Sequence, residues 1–141
     1  MLANEMKNHA VVVGYTHLGE RFIEELRAKR QPFVVIEKNP LLVNHLVREG
    51  EPVIVDDAKE LSTLTEAGIG RAKLVVIAPN NMETALMVTK KARGLNKDAK
   101  IIVRCFHDDF VEILESLGAN RVISSSKSAF HEIESSLLVS A

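Results

Sequence analysis

Three residues near the start of the chain, Gly14, Thr16 and Gly19, have the spacing of the glycine-rich turn that receives a phosphate, with threonine replacing the middle glycine. They follow the apolar run 10–13 and precede a segment of helical period. Unpaired backbone amides at the start of such a helix attract an anion. Glu37 ends a second apolar run, where a carboxylate can accept hydrogen bonds from both hydroxyls of a ribose. The pattern predicts a site for the phosphate and ribose of a nucleotide.

The threonine at the middle position leaves two interpretations of this turn open. Its branched side chain could crowd out a dinucleotide, or its hydroxyl could donate a hydrogen bond to a phosphate. The turn could also serve packing alone, and Glu37 could be a solvated strand end. The candidate binding residues of the turn are Gly14, Tyr15, Thr16, His17, Leu18 and Gly19.

Further polar residues follow the other predicted strands, at the same carboxyl edge of the sheet. Lys38 stands beside Glu37, whose charge repels a 2′-phosphate and so favours NAD or an adenine nucleotide over NADP. Asp56-Asp57-Ala58 would lie near the adenosine, and Asn80 or Asn81 could cap the next helix. Arg104 ends a central strand and needs a partner, for which we expect an acid such as Glu112 or Glu115, an acid of another subunit, or a phosphate.

Six short apolar runs predict the strands that carry these residues, each covered on both faces. They are Ala10–Val13, Phe33–Ile36, Val53–Val55, Leu74–Ala78, Ile101–Arg104 and Arg121–Ile123. The helical stripes between them are Leu18-Phe22-Ile23-Leu26, Leu41-Leu42-His45-Leu46 and Phe110-Ile113-Leu114-Leu117. Asn39-Pro40 and Asp108 or Asp109 are expected at helix starts, and Gly50, Gly68, Gly94 and Gly118 at helix ends. Strict alternation predicts an α/β fold with a Rossmann-like, doubly wound, six-stranded parallel sheet over residues 1–125.

The last segment, 126–141, has an apolar stripe at helical spacing after the sheet is complete. The stripe consists of Phe130, Ile133, Leu137 and Leu138. Either this helix packs on its own sheet, or it contacts a second subunit or another partner.

Composition excludes several classes of protein. The 141 residues suffice for one domain, and a net charge of −1 lacks the basic field that nucleic-acid binding requires. The single cysteine, Cys105, rules out an internal disulfide, and no apolar stretch reaches the length of a membrane span. We therefore expect a cytoplasmic protein, either free in the cytoplasm or peripheral at the inner face of the membrane.

Neither a metal site nor a catalytic set follows from the residues. His107-Asp108-Asp109 are adjacent at a strand-to-helix turn and rarely converge on one ion, and no second cluster has ligand spacing. The cofactor half of an NAD-dependent dehydrogenase would also need a substrate domain and a proton-transfer residue. We expect a protein without catalysis, and a ligand-free assembly module is the other alternative.

The series of motifs resembles the RCK/KTN family, the TrkA-N-like cytosolic regulators of potassium conductance. The resemblance rests on residues 11–21, on 35–40, on Asp57-Ala58, on 74–78, on 101–104 and on Leu117-Gly118-Ala119-Asn120-Arg121-Val122-Ile123. The chain differs from most members at Thr16, where they have glycine, and at Asp56, where they read Gly-Asp-Ala.

The resemblance implies that a nucleotide binds in the cleft. This nucleotide would be NAD, NADH or an adenine nucleotide such as ADP, ATP or AMP, and Ala78 and Arg104 would be among the residues that line the cleft. It also implies a final helix that crosses to a second subunit, in a dimer or ring that controls a potassium channel or transporter. The carboxylates of calcium-gated relatives are replaced here by Ala78, Arg104 and Phe106, so no calcium site is expected. The resemblance does not extend to the family's C-terminal lobe, so we expect the sequence to be either a short regulator or a piece of a larger one.

Overall fold

The computed structural model describes residues 5–139, which form one parallel sheet with helices on both faces. The strands are β1 (Ala10–Val13), β2 (Phe33–Ile36), β3 (Val53–Ile54), β4 (Leu74–Ile77), β5 (Lys100–Cys105) and β6 (Arg121–Ser124). The helices are α1 (His17–Ala28), α2 (Pro40–Arg48), α3 (Leu61–Glu66), α4 (Met82–Leu95), α5 (Val111–Leu117) and α6 (Ser125–Val139), with short 3₁₀ turns at Ile69–Arg71 and Asp108–Phe110.

The strand order is β3-β2-β1-β4-β5-β6, and all five pairings are parallel. The predicted doubly wound α/β sheet is thus confirmed. In this order the chain winds outward from β1 in both directions, so a crevice opens between the carboxyl ends of β1 and β4, where such folds bind ligands.

Two separate cores cover the sheet because successive side chains of each strand point to opposite faces. Val11 and Val13 pack with α3, α4 and α5, whereas Ala10 and Val12 pack with α1 and α2. All four strand residues are buried, which explains why each run is continuously apolar rather than alternating. Because the strands are parallel, the helices that follow β1, β2 and β4 all start at the carboxyl edge of the sheet, and their packing on the two cores fixes their positions.

Strand boundaries differ from the expected ones by one residue. β3 and β4 end at Ile54 and Ile77, so Val55 and Ala78 lie beyond them, while β5 runs from Lys100 to Cys105 and β6 reaches Ser124. Val55 follows the edge strand β3 and is exposed, and the pairing of β3 with β2 ends at Ile36 and Ile54.

The predicted apolar stripe of α2 was wrong in phase. Leu41 and Leu42 are exposed, His45 lies at the surface, and Val43 and Leu46 face the core. The helix starts at Pro40, with the Asn39 side chain accepting a hydrogen bond from the Leu41 amide. From that start, the helical period directs Val43 and Leu46 to the sheet. Leu18 and Ile113 are likewise exposed, while the other residues of their two stripes are buried or half-buried.

Two predicted helix boundaries also need correction. Gly94 does not end a helix but lies within the last turn of α4, which is capped at Asn96. Neither Asp108 nor Asp109 caps α5, because a 3₁₀ turn precedes that helix. The Asp108 carboxylate instead accepts a hydrogen bond from the Ser124 hydroxyl at the end of β6.

Half of one sheet face lacks a helix layer within the described residues. Helices α1 and α2 pack with β1, β2 and β3, whereas Ile102 of β5 and Ile123 of β6 are only half-buried. Helix α6 leaves β6 with its apolar stripe exposed: Phe130 is 63%, Ile133 58%, Leu137 67% and Leu138 74% accessible. A groove of about 830 Å³ separates α6 from the edge strand β6 and the end of α5.

Candidate functional site

A small cavity of about 110 Å³ lies at the carboxyl edge of the sheet, beside the crevice between β1 and β4. The ends of β1, β2 and β3 form three of its walls, and the segment after β4 forms the fourth. The lining residues are Val13, Gly14, Ile36, Glu37, Lys38, Asp56, Asp57, Ala58, Pro79 and Thr84. The structure thus brings together five of the twelve predicted site residues: Gly14, Glu37, Lys38, Asp57 and Ala58.

Two backbone amides hold the Glu37 carboxylate in the wall of the cavity. Oε1 accepts a hydrogen bond from the Tyr15 amide at 2.8 Å, and Oε2 accepts one from the Asn39 amide at 2.8 Å. Each carboxylate oxygen has a second lone pair, so both remain available to a hydroxyl donor. Glu37 therefore joins the turn after β1 to the start of α2 and presents a fixed acceptor pair to the cavity.

The Thr16 side chain is used inside the protein. Its hydroxyl donates to the Ala78 carbonyl at 2.9 Å and accepts the Gly19 amide at 3.3 Å, as the N-cap of α1. This arrangement commits the hydroxyl proton to the protein rather than to a ligand. The hydroxyl oxygen also takes up the Gly19 amide, one of the backbone amides at the start of α1 that were expected to meet an anion. The amides of His17 and Leu18, in the first turn, are left without an acceptor among the described residues.

The two glycines of the turn are required by their surroundings. Gly14 has a φ of +95°, and a Cβ there would lie 3.0 Å from the Pro79 nitrogen. A Cβ on Gly19 would lie 2.1 Å from the Gly14 carbonyl oxygen. These contacts hold α1 close to the end of β1, so the helix N-terminus lies directly beside the crevice.

Tyr15 packs toward α2. Its hydroxyl lies 3.3 Å from His45 Nε2 and the ring centroids are 5.6 Å apart, while burial raises the pKa of the phenol. Only the backbone amide of Tyr15 contributes to the candidate site, through Glu37.

Asp57 is the acid of a mixed charge cluster on the far side of the cavity. Its Oδ2 lies 3.8 Å from Lys38 Nζ and 3.9 Å from Lys59 Nζ, and Lys59 Nζ lies 3.8 Å from Glu83 Oε1. The Asp56 carboxylate accepts the Asp57 amide at 2.7 Å and shapes the loop after β3. The cavity therefore carries Glu37 on one side and a lysine-flanked aspartate on the other.

Arg104 extends from the end of β5 across the end of β4, without an ion pair to Glu112, Glu115 or any other described acid within 4.0 Å. Its Nη2 donates to the Ala78 carbonyl at 3.1 Å and to Asn80 Oδ1 at 3.2 Å. The guanidinium carbon lies 4.4 Å from the ring centroid of Phe106, and burial lowers the pKa of Arg104. The expected intramolecular ion pair was wrong, because backbone and amide oxygens take the place of a carboxylate.

Sequence reasoning missed Pro79 and Thr84 as lining residues. Pro79 directly follows β4 and Thr84 lies in the first turn of α4, so both positions reach the same edge as the other site residues. Of the two candidate caps, Asn81 caps α4 by accepting a hydrogen bond from the Thr84 amide at 3.0 Å, whereas Asn80 accepts one from Arg104. The start of α4 thus places Thr84 against the cavity, and the apolar pattern of the sequence gives no sign of this position.

Within residues 5–139, no group of three or more potential metal ligands is present, and no helix has the length and hydropathy needed to cross a membrane. Cys105, the last residue of β5, is buried, and burial raises the pKa of its thiol. The polar groups at the carboxyl edge are therefore backbone amides and carbonyls, carboxylates, the lysines beside Asp57 and the Arg104 guanidinium.

A family model, described as the TrkA-N domain, matches residues 10–125 of this chain. The chain belongs to the TrkA-N family. The match runs from the first residue of β1 to the first residue of α6, so it includes the whole sheet and every residue of the cavity. The predicted family is thus confirmed.

Relatives of this TrkA-N chain occur in potassium channels and antiporters. It is 35% identical over 117 residues to the putative cation/proton antiporter YbaL of Escherichia coli, covering 82% of this chain and 21% of that protein. It is 32% identical over 127 residues to the probable potassium channel protein 2 of Methanocaldococcus jannaschii, covering 84% and 36%. The chain spans about a fifth to two fifths of the length of the curated relatives it matches.

Solved structures show the same fold. The TrkA-N domain of the Escherichia coli inner membrane protein YbaL has a TM-score of 0.90 and 29% identity, covering 94% of this chain and 98% of that one. The Kef C-terminal domain of Shewanella denitrificans in AMP-bound form has a TM-score of 0.78 and 23% identity, covering 95% and 82%. The GsuK channel bound to NAD has a TM-score of 0.77 and 21% identity, covering 86% and 22%.

Proposed function

We propose that this TrkA-N domain is a regulatory module without catalysis that binds an adenine nucleotide at the carboxyl edge of its sheet. The observation that carries this proposal is the Glu37 carboxylate, fixed by the Tyr15 and Asn39 amides in the cavity wall beside the start of α1. A ribose donates both hydroxyls to such a carboxylate, and the free His17 and Leu18 amides receive the adjoining phosphate. The AMP-bound Kef domain and the NAD-bound GsuK channel support the ligand class.

The bound nucleotide acts by favouring one arrangement of subunits over another, because a ligand shifts an equilibrium only by its difference in affinity for the two states. The arrangement is passed to a potassium channel or antiporter, the proteins in which the relatives are found. The domain then works in the cytoplasm at the inner face of the membrane.

Calorimetry with AMP, ADP, ATP, NAD⁺, NADH and NADP⁺ tests the ligand. We expect adenine nucleotides to bind, and NADP⁺ to bind less well than NAD⁺ because the Glu37 carboxylate repels the 2′-phosphate. Glu37→Gln should weaken binding by about 30-fold, since it replaces two charge-assisted hydrogen bonds to the ribose with weaker ones.

Glu24→Gln is the matched control, because Glu24 is an exposed acid further along α1, beyond the first turn that meets the phosphate, and does not line the cavity. It should bind like the natural sequence, and thermal melts of both variants should confirm that they are folded. Flat titrations for all six nucleotides would leave assembly as the only role of the domain.

The subunit contact is proposed for α6 and the half-covered sheet face beside it. Phe130, Ile133 and Leu137 recur at three- and four-residue spacing and are exposed over more than half of their surface. A second copy of the chain that covers this stripe and the groove along β6 would supply the missing layer, as symmetric dimers do. Dimerisation would thus bury both the apolar stripe of α6 and the half-covered face of β5 and β6.

Replacing Ile133 and Leu137 together with glutamate should convert the dimer to a monomer. Four carboxylates buried in one apolar interface are expected to raise the dissociation constant by at least about 100-fold, or about 2.7 kcal/mol. Light scattering across a concentration series measures this change. Ser135→Glu, on the opposite side of α6, should leave the dimer intact, and a monomeric natural chain would refute the proposed contact.

A further inference from the structure

His9, the residue that precedes β1, has a fully buried imidazole at the amino edge of the sheet, opposite the edge that carries the cavity. Its Nε2 lies 2.8 Å from the carbonyl oxygen of Ala67, at the end of α3. A carbonyl can only accept a hydrogen bond, so Nε2 carries the proton and Nδ1 of the neutral ring carries none. Within the described residues, Nδ1 is buried and has no hydrogen-bond partner.

Three further hydrogen bonds join the segment around His9 to the connection between α3 and β4. The Asn8 amide donates to the Arg71 carbonyl, and Arg71 Nε donates to the Met6 carbonyl, both at 2.8 Å. The Lys73 amide donates to the His9 carbonyl at 2.9 Å. We call these three bonds, together with the bond of the imidazole, the amino-edge contact. The imidazole is its buried side-chain member.

A second proton on the imidazole would be unfavourable while this contact is closed. A Cβ on Gly68 would lie 3.0 Å from Cε1 and 3.1 Å from Nε2 of His9, so the main chain packs closely against the ring. The new N–H at Nδ1 would be a buried donor without an acceptor among the described residues, which costs free energy.

The charges around His9 also disfavour protonation. Burial lowers the pKa of His9, the hydrogen bond to the Ala67 carbonyl acts in the opposite direction, and the positive charge of Arg71 lowers the pKa further. The other charged side chains of the adjoining described segments are exposed and give the ring no hydrogen bond: Glu5, Lys7, Glu66 and Lys73. The closed contact therefore holds a neutral imidazole.

We propose that His9 is a pH-sensitive switch whose protonation opens the amino-edge contact and releases residues 6–9 from the connection between α3 and β4. Once the contact opens, the imidazole reaches water and titrates at about pH 6.5. The closed form binds fewer protons than the open form, so it is fully favoured above that pH and loses stability as the pH falls below it. The switch does not depend on a nucleotide at the opposite edge.

Hydrogen exchange of the Asn8 and Lys73 amides, followed by NMR at about pH 7.5 and about pH 5.5, measures the opening on either side of the ordinary histidine pKa. After correction for the intrinsic exchange rates, their protection factors in the natural chain should fall by about three- to tenfold at the lower pH. Tenfold is about the limit for one proton taken up by an imidazole of ordinary pKa over this range.

His9→Gln should remove this pH dependence, because glutamine keeps an N–H donor for the Ala67 carbonyl and does not titrate. His107→Gln is the matched control, since His107 is an exposed histidine after β5 at the other edge of the sheet, and it should keep the natural pH dependence. Protection that is independent of pH in the natural chain, or a fall that persists in His9→Gln, overturns the switch. Equal protection of the Asn8 amide and the buried Val12 amide at the lower pH also overturns it, because the contact would then open only with the whole fold.

An NMR titration of the histidine ring protons of the natural chain keeps the test decisive if His9→Gln proves unfolded. The His9 ring should stay neutral at the pH where half of His107 is protonated. A His9 ring that titrates together with His107 while the Asn8 amide stays protected would show that the closed contact accepts the charged imidazole, and the proposed switch would be wrong.

Discussion

Gly19→Ala is expected to lower the free energy of unfolding by about 3 to 4 kcal/mol, a large part of the stability of a domain of this size. The added Cβ would lie 2.1 Å from the Gly14 carbonyl oxygen. Both atoms belong to, or are rigidly attached to, the backbone, so no change of rotamer relieves the contact. Helix α1 must therefore move away from the end of β1, which also disturbs the Thr16 N-cap. Urea denaturation measures the loss.

Gly94→Ala is the matched control, with the opposite sign expected. Gly94 lies within α4, and a Cβ there meets nothing within 4 Å. Alanine has the higher helix propensity, so this variant should gain about 0.5 to 1 kcal/mol. A Gly19→Ala protein as stable as the natural chain would show that the close approach of α1 to β1 is not rigid.

Arg93→Met is expected to cost about 3 kcal/mol of unfolding free energy, because this half-buried guanidinium closes the amino end of the sheet. Its donors reach four backbone carbonyls at 2.9 to 3.1 Å, and Nη2 donates to Asn120 Oδ1 at 2.7 Å. The carbonyls belong to Asn96, Lys97, Ala99 and Gly118. Losing the guanidinium leaves several of these oxygens without a donor in partly buried positions.

Arg93→Lys separates charge from geometry. Lysine keeps the charge but presents a point donor rather than a planar fork, so it should restore less than half of the loss. Arg48→Met is the control, because Arg48 is an exposed arginine in the last turn of α2, and it should change stability by no more than about 0.5 kcal/mol. Chemical denaturation of the three variants compares them, and equal stability of Arg93→Met and Arg48→Met would contradict the assigned role.

The architecture and one half of the candidate site were accessible from local sequence patterns. Apolar runs of four residues require cover on both faces, and their alternation with helical segments leads to a parallel sheet. Parallel strands bring their carboxyl ends to one edge, so Gly14, Glu37 and Asp57 converge although they are distant in the chain. These conclusions depend on periodicity and strand direction, which neighbouring residues encode.

Contacts between the ends of different elements were decided by the tertiary structure. Sequence patterning left the partner of Arg104 open among an acid of the same chain, an acid of another subunit and a phosphate, and within the described residues the guanidinium binds the oxygens of Ala78 and Asn80. The start of α2 at Asn39-Pro40 was predicted correctly, but the packing of the helix on the sheet decided that Val43 and Leu46, rather than Leu41 and Leu42, face the core. The Arg93 hydrogen bonds likewise depend on where α4 ends relative to β5, because a side chain's partner is set by three-dimensional distance. Local pattern thus specifies the elements and their order, whereas the packed sheet determines how far the cleft extends and which charges border it.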